Sequence, residues 1–316
     1  MSFFNTLKTD LKNIDYLLAQ CLNGHDRAAV QEILISRIFS KILNLPFFDN
    51  SNNDLTILNK VVWYGTLSPR VCSKGTCDTK IYGHGFNAVM EVTRRKGKSQ
   101  WDYEGVQISD NLDNNIAQEG WNKKHTYGLL IVPNIYKYTF DNLNYVVNIN
   151  KKIIILDYNI LYTLLNINDM VFTLKNGDII FLFEEIFKAF NDSSTVEEYI
   201  KEVDAVINKW KKTIIYNDLT KKIAIDTILI MKERMISYVF ISELTEKLYN
   251  DFSIKHSVEE LKIPFDQELI INCINMYGVG YHKPNYFHDD EIQGTTFPDY
   301  ENILNKIVDV FYERLN

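Results

Sequence analysis

Apolar residues recur at helical spacing from the start of the chain. Leu7, Leu11, Ile14, Leu18 and Leu22 share one face, which predicts a helix over residues 1–23. A second helix is expected from Asp26, a suitable N-cap, through A-A-V-Q-E-I-L-I-S-R-I-F-S-K-I-L. Its apolar positions cover most of the circumference, the pattern of a helix buried on two sides, and Pro46 closes it. An Asn- and Asp-rich loop comes next. Residues 61–64 then read as a short strand, residues 65–78 as a loop with Pro69 and Gly75, and residues 86–93 as a strand. Trp101, Ile108, Leu112 and Ile116 mark one face of a helix. The continuous apolar runs over residues 127–133 and 153–156 suit buried strands, and a short helix is expected near residues 161–165. This order predicts an α/β fold, a three-layer core with a mixed sheet.

The pattern changes after about residue 170. Lys175-Asn176-Gly177 reads as a hairpin turn between V-F-T-L and I-I-F-L. Ser194-Thr195 followed by Glu197-Glu198 resembles a capping box. Amphipathic helices are expected over 196–215 and 219–236. I-S-E-L-T-E-K-L-Y-N-D-F, capped by Ser242, suits either a plain helical bundle or part of a helix-turn-helix. A loop over residues 278–290 and a closing helix over 298–315 complete the chain. The expected division is residues 1–170 as an α/β domain and 171–316 as a mainly helical one.

With 46% apolar and 24% charged residues, the composition is that of a globular protein. No run approaches 18 apolar residues and no cationic leader precedes one, so a soluble, cytoplasmic protein without a membrane partner is expected. The net charge of −7 is not that of a general nucleic-acid binder, but it is unevenly spread. Residues 1–170 hold 18 Lys and Arg against 16 Asp and Glu; residues 171–316 hold 16 against 25. Phosphate contact therefore suits the first part, and a protein partner or a local DNA patch suits the second. Of the four cysteines, Cys72 and Cys77 form a C-x4-C loop with His84 nearby. Partners at convincing zinc-ligand spacing are missing, and reduced thiols are expected.

The candidate chemistry lies between residues 78 and 104. Asp78 precedes the apolar strand, Glu91 stands at its far end, and Glu104 comes in the first turns of the next helix. A hairpin or loop-strand turn could bring Asp78 and Glu91 to one sheet edge, where carboxylates can bind a hard divalent cation. The basic turn Arg94, Arg95, Lys96, Gly97, Lys98 comes directly after the strand, suited either to phosphate contact or to plain solvation. Glu32, inside the second helix, could face solvent, pair with Arg37 or point to the acids. Acids beside cations at a strand end suit metal-dependent phosphodiester hydrolysis.

These residues resemble the PD-(D/E)XK nuclease superfamily, and in detail the AlwI-like (type IIS-like) restriction and nicking endonucleases. Glu91-Val92-Thr93 matches the E-V-T of that group. Gly97, Gln100 and Glu104 match its downstream Gly, Gln and Glu, and Asp78 matches its upstream Asp. Glu32 matches the Glu of its first core helix, and the match spans roughly residues 25–165. The resemblance implies Mg²⁺-dependent cleavage of double-stranded DNA by a type II enzyme, as a homodimer or a heteromeric subunit. Asp78 and Glu91 would be primary metal ligands, Glu104 a further acidic ligand, and Glu32 would position water. Thr93 replaces the common motif Lys, and Lys98, Gln100 or Lys96 could take over charge stabilisation. A non-cleaving recognition or assembly subunit, and a nuclease of repair or phage defence, are the competing readings.

Overall fold

The computed structural model describes residues 3–19, 21, 24–43, 66–69, 77–83, 85–147, 151–168, 176–234, 238–283 and 291–294. The first expected helix is two, α1 (Phe3–Lys12) and α2 (Ile14–Ala19), and Leu7, Leu11, Ile14 and Leu18 are buried as their spacing predicts. Helix α3 (Gly24–Ile42) starts ahead of Asp26 and buries Ile35, Ile38, Phe39 and Ile42. The expected strand at 61–64 lies outside the described residues.

The first unit is built on a five-stranded mixed sheet, ordered β1 (Thr66–Pro69), β2 (Thr79–Tyr82), β3 (Asn87–Val92), β4 (Thr126–Val132) and β5 (Ile153–Asp157). The β1–β2 and β2–β3 pairs are antiparallel, and β3–β4 and β4–β5 are parallel. Strand β1 corrects the expected loop over 65–78. It pairs with β2 at the sheet edge, where Pro69 lies at the strand end and its missing N–H is tolerated. Strands β4 and β5 are buried throughout, as continuous apolar runs should be.

A short helical turn (Lys98–Gln100) and a π-helical turn (Trp101–Gly105) lead into α4 (Val106–Glu119), which packs on β3 and β4 and ends at left-handed Gly120. Helix α5 (Lys137–Val147) has no counterpart in the expected elements; its apolar anchors Phe140 and Leu143 are flanked by Tyr and Asn. Helix α6 (Tyr158–Asn168) succeeds β5 and packs against α3.

The hairpin and the helix break expected beyond residue 170 are both corrected. Helix α7 (Asn176–Asp192) replaces the second arm of the expected hairpin, while residues 171–175 lie outside the described residues. Ile179, Leu182, Phe183, Ile186 and Phe190 are buried at helical spacing, so the periodicity overrides the Asn-Gly turn signal. Helix α8 (Val196–Arg234) runs unbroken through the gap left between two expected helices. The capping box forms: Thr195 Oγ1 accepts from the Glu198 N–H at 3.2 Å, and a Glu198 carboxylate oxygen accepts from the Ser194 N–H at 2.9 Å.

The chain divides into two compact units, Met1–Trp210 and Lys211–Asn316. Residues of 176–210 belong to the sheet-containing unit for a packing reason. Helix α7 lies against β5, Phe140, Phe190 and Tyr199 form an aromatic cluster, and the Tyr199 hydroxyl donates to the Ile155 carbonyl at 2.7 Å.

The second unit has its own core, with Leu219, Ile223, Ile228 and Met231 of α8 beside Leu244, Ile254, Ile270 and Ile274. These come from α9 (Ile241–Tyr249), α10 (Phe252–Leu261) and α11 (Gln267–Tyr277). Strands β6 (Tyr238–Phe240), β7 (Gly280–Lys283) and β8 (Glu291–Gly294) form an antiparallel sheet ordered β6-β8-β7. Helix α9 starts at Ile241 without a side-chain cap, which corrects the capping role expected of Ser242. Asp251 and Asp266 cap α10 and α11. Residues 284–290 and the expected closing helix lie outside the described residues. No described helix is long and apolar enough to cross a membrane.

Candidate acidic site

The β2–β3 ladder pairs Thr79 with Met90, so the register carries Asp78 level with Glu91. An Asp78 carboxylate oxygen accepts from the Val92 N–H at 2.8 Å. Glu91 is completely buried. Helix α4 grips it: Asn111 Nδ2 donates to one oxygen at 2.6 Å and Gln107 Nε2 to the other at 3.4 Å. Asn115 Nδ2 in turn donates to the Asn111 carbonyl at 2.7 Å. Gln107 and Asn111 are not among the residues named from the sequence. Their signal was amide side chains at 107, 111 and 115, four apart, beside the apolar stripe of Ile108 and Leu112.

Glu32 is buried on α3. One turn further along, the Ser36 hydroxyl shares a 2.7 Å hydrogen bond with that of Thr79, which fixes this face of α3 beside β2. Glu32 thereby acts electrostatically on Asp78.

Glu104 arrives from the π-helical turn, where Trp101 folds over Gly105: a Cβ on that glycine would stand 2.1 Å from the indole ring. The Glu104 carboxylate shares hydrogen bonds with Arg95, whose Nε is 3.3 Å away, and with Thr93.

The acids press on one another. Burial pushes the Asp78 carboxyl upward, and Glu32 and Glu104 add to it. Burial likewise raises Glu91, and Asp78 and Glu104 push in the same direction. Side by side and buried, the two carboxyls resist being charged together. Burial raises Glu104 as well, against the opposing pull of Arg95. All four acids named from the sequence thus lie in one electrostatic neighbourhood.

The basic turn spreads outward from them. Arg94 reaches exposed Asp15 at 3.5 Å, and Lys96 is exposed. Lys98 lies 5.6 Å from the Tyr138 ring centroid. Gln100 is buried, and its Nε2 donates to the carbonyls of Arg95 and Asn134 at 3.2 and 3.1 Å. Cys77 is buried; Cys72 and His84 lie outside the described residues.

Among the described residues, no group of three or more His, Cys, Asp and Glu side chains stands ready to hold a metal ion. The donor set still fits Mg²⁺, which takes hard oxygen ligands, often only one or two carboxylates, and keeps several waters. Two buried carboxylates that resist being charged together form a place where a cation can relieve their repulsion.

No family model matches the sequence, and no curated protein matches it. Among solved structures, the small subunit (R.BspD6I2) of the heterodimeric restriction endonuclease R.BspD6I is similar at 13% identity and a TM-score of 0.44, over 64% of this chain and 97% of that one.

Proposed function

We propose that this chain is a Mg²⁺-dependent endonuclease for double-stranded DNA, as a type II restriction enzyme or a subunit of one, on a three-layer PD-(D/E)XK core. The observation that carries this reading is the buried Asp78–Glu91 pair, aligned by the β2–β3 register and bordered by Glu32, Glu104 and the basic turn. The contacts of β2 support the layering. Thr79 meets α3, whereas Lys80, on the alternate side of the strand, pairs with Glu119 at the end of α4.

Bound at the pair, Mg²⁺ would supply Lewis acidity toward phosphate and water. The chain's own residues do the rest. Asp78 and Glu91 would hold the ion, with Glu104 as the further ligand. Gln107 and Asn111 fix the orientation of Glu91. Glu32 orients water from the α3 side, and Arg94, Arg95 and Lys96 receive the DNA backbone.

The second unit takes the role of DNA recognition or subunit contact. Helices α10 and α11, joined by residues 262–266, with the β7–β8 ribbon returning to β6, have the layout of a helix-turn-helix with a wing. Gln267, Asn272 and Asn275 are exposed on α11, and such amides can pair with adenine edges.

The test is incubation of the purified protein with plasmid DNA and Mg²⁺. Discrete fragments identify a restriction enzyme and open circles a nicking subunit. Unchanged DNA defeats the reading in favour of a non-cleaving recognition subunit.

A further inference from the structure

We infer that Arg95 is the catalytic cation of this site, standing in for the lysine that Thr93 replaces. The inference rests on the reading of the Asp78–Glu91 pair as a phosphodiester-cleaving site.

Arg95 sits in a segment without regular structure, yet it is held at four points. Its N–H donates to Thr93 Oγ1 at 3.0 Å, and its carbonyl accepts from buried Gln100 Nε2 at 3.2 Å. Its Nε donates to Glu104 at 3.3 Å, and its guanidinium carbon lies 3.9 Å from the Tyr103 ring centroid. The other cations of the turn are held more loosely. Arg94 has a long contact to an almost fully exposed acid, and Lys98 has a distant ring contact.

This arrangement gives Thr93 and Gln100 a purpose. The strand does not deliver a cation at position 93. It delivers a hydroxyl that braces the next turn, and the turn delivers an arginine two residues later. Gln100 closes the brace from the other side, with both amide hydrogens on backbone carbonyls. It is a positioning residue, and a guanidinium is the group it positions. Glu104 engages Nε, which leaves the Nη1/Nη2 fork for two non-bridging phosphate oxygens, a geometry a lysine cannot match. Arg95 is tied to Thr93, two residues beyond Glu91, and to Glu104, which acts electrostatically on both acids, so the guanidinium is anchored to the acid set whose phosphate must be neutralised.

The test compares Arg95→Ala, Arg95→Lys, Lys96→Ala and Lys98→Ala in single-turnover cleavage at saturating protein, with Mn²⁺ binding measured on each by calorimetry. Arg95→Ala should lose about 100-fold in the cleavage rate, the scale for removing one charge-stabilising donor. Its Mn²⁺ affinity should hold or tighten, because Glu104 loses its counter-ion. Arg95→Lys should recover part of the rate, and each lysine variant should lose at least tenfold less than Arg95→Ala. A larger loss in either lysine variant overturns the inference. So does a parallel fall of Mn²⁺ binding and cleavage in Arg95→Ala, which marks a merely structural role. Failure of the unmodified protein to cut or nick is a separate result, and it overturns the proposed function itself.

Discussion

Asp78 and Asp251 are both aspartates that accept backbone N–H groups, and their surroundings treat them in opposite ways. Asp251 caps α10, accepting from Ser253 and Ile254 at 2.9 and 3.2 Å, and Lys222 stands 3.1 Å away. Burial alone would raise it, but the hydrogen bonds from Ser253, Ile254 and Lys222 outweigh burial and hold it at about 2. Asp78 has one backbone donor, and burial together with Glu32 pushes it the other way. In the second unit an acid is placed where folding gains from its charge. In the first, acids are buried against one another at a cost to folding. Groups kept at such a cost are more often the ones a site needs than the ones a fold needs.

The largest expected effect breaks or upholds that contrast directly. Asp78→Asn or Glu91→Gln should reduce Mg²⁺-dependent cleavage on the order of 10³-fold or more. At pH 8 the same change should raise metal-free stability by about 1 kcal/mol, roughly 2–4 °C in melting temperature, because it removes buried repulsion. Full activity in either variant removes the function from the pair. Next comes Asn111→Leu, which takes away the 2.6 Å donor to Glu91. Cleavage should fall about 10–100-fold, as for other groups that orient a ligand; an unchanged rate means that Glu91 needs no such orientation.

The pH dependence sharpens the comparison further. Asp78 is raised from 3.8 to about 8, so between those values the folded protein binds more protons than the unfolded chain. The contribution of Asp78 to stability is therefore greatest at low pH and declines as pH rises through that window. Melting temperatures of the metal-free protein and of Asp78→Asn should be close at pH 5 and diverge by pH 8, with Mg²⁺ narrowing the gap. A pH-independent gap contradicts the assignment. The smallest effect is in the second unit. Asp251→Ala should cost about 1 kcal/mol at pH 7, the usual loss of a helix cap, and leave cleavage within about twofold. The sign is the reverse of Asp78: the stabilisation is complete above pH 3.8 and disappears as pH falls through about 2. Chemical denaturation at pH 7 and pH 2 separates the two cases.

Strands β3, β4 and β5 were legible because buried strands are written as short apolar runs, and Glu91 stood out as an acid closing one of them. Helix α7 was misread because Asn176-Gly177 is a strong local turn signal, and only packing of Ile179, Phe183 and Ile186 decides against it. The break expected between residues 215 and 219 is absent because Leu219 and Thr220 continue the buried face of α8. In the site, the acids could be named from sequence but their partners could not. Asn111 and Gln107 look like solvent-facing amides until α4 is laid over β3. The role of Gln100 is also tertiary, since one of its two acceptors, the Asn134 carbonyl, lies beyond β4.

The β2–β3 hairpin has a consequence for how such a site can change over time. Asp78 and Glu91 lie at its open end, while Tyr82 pairs with Asn87 toward its closed end. Residues gained or lost at the tip alter the count between the two acids and leave their alignment intact. One residue gained within a single strand turns an acid to the opposite side of the sheet. Drift in the tip is therefore silent while drift in the arms is lethal to the pairing. A descriptor that fixes the number of residues between the acids will lose relatives that one written in hydrogen-bond register would keep.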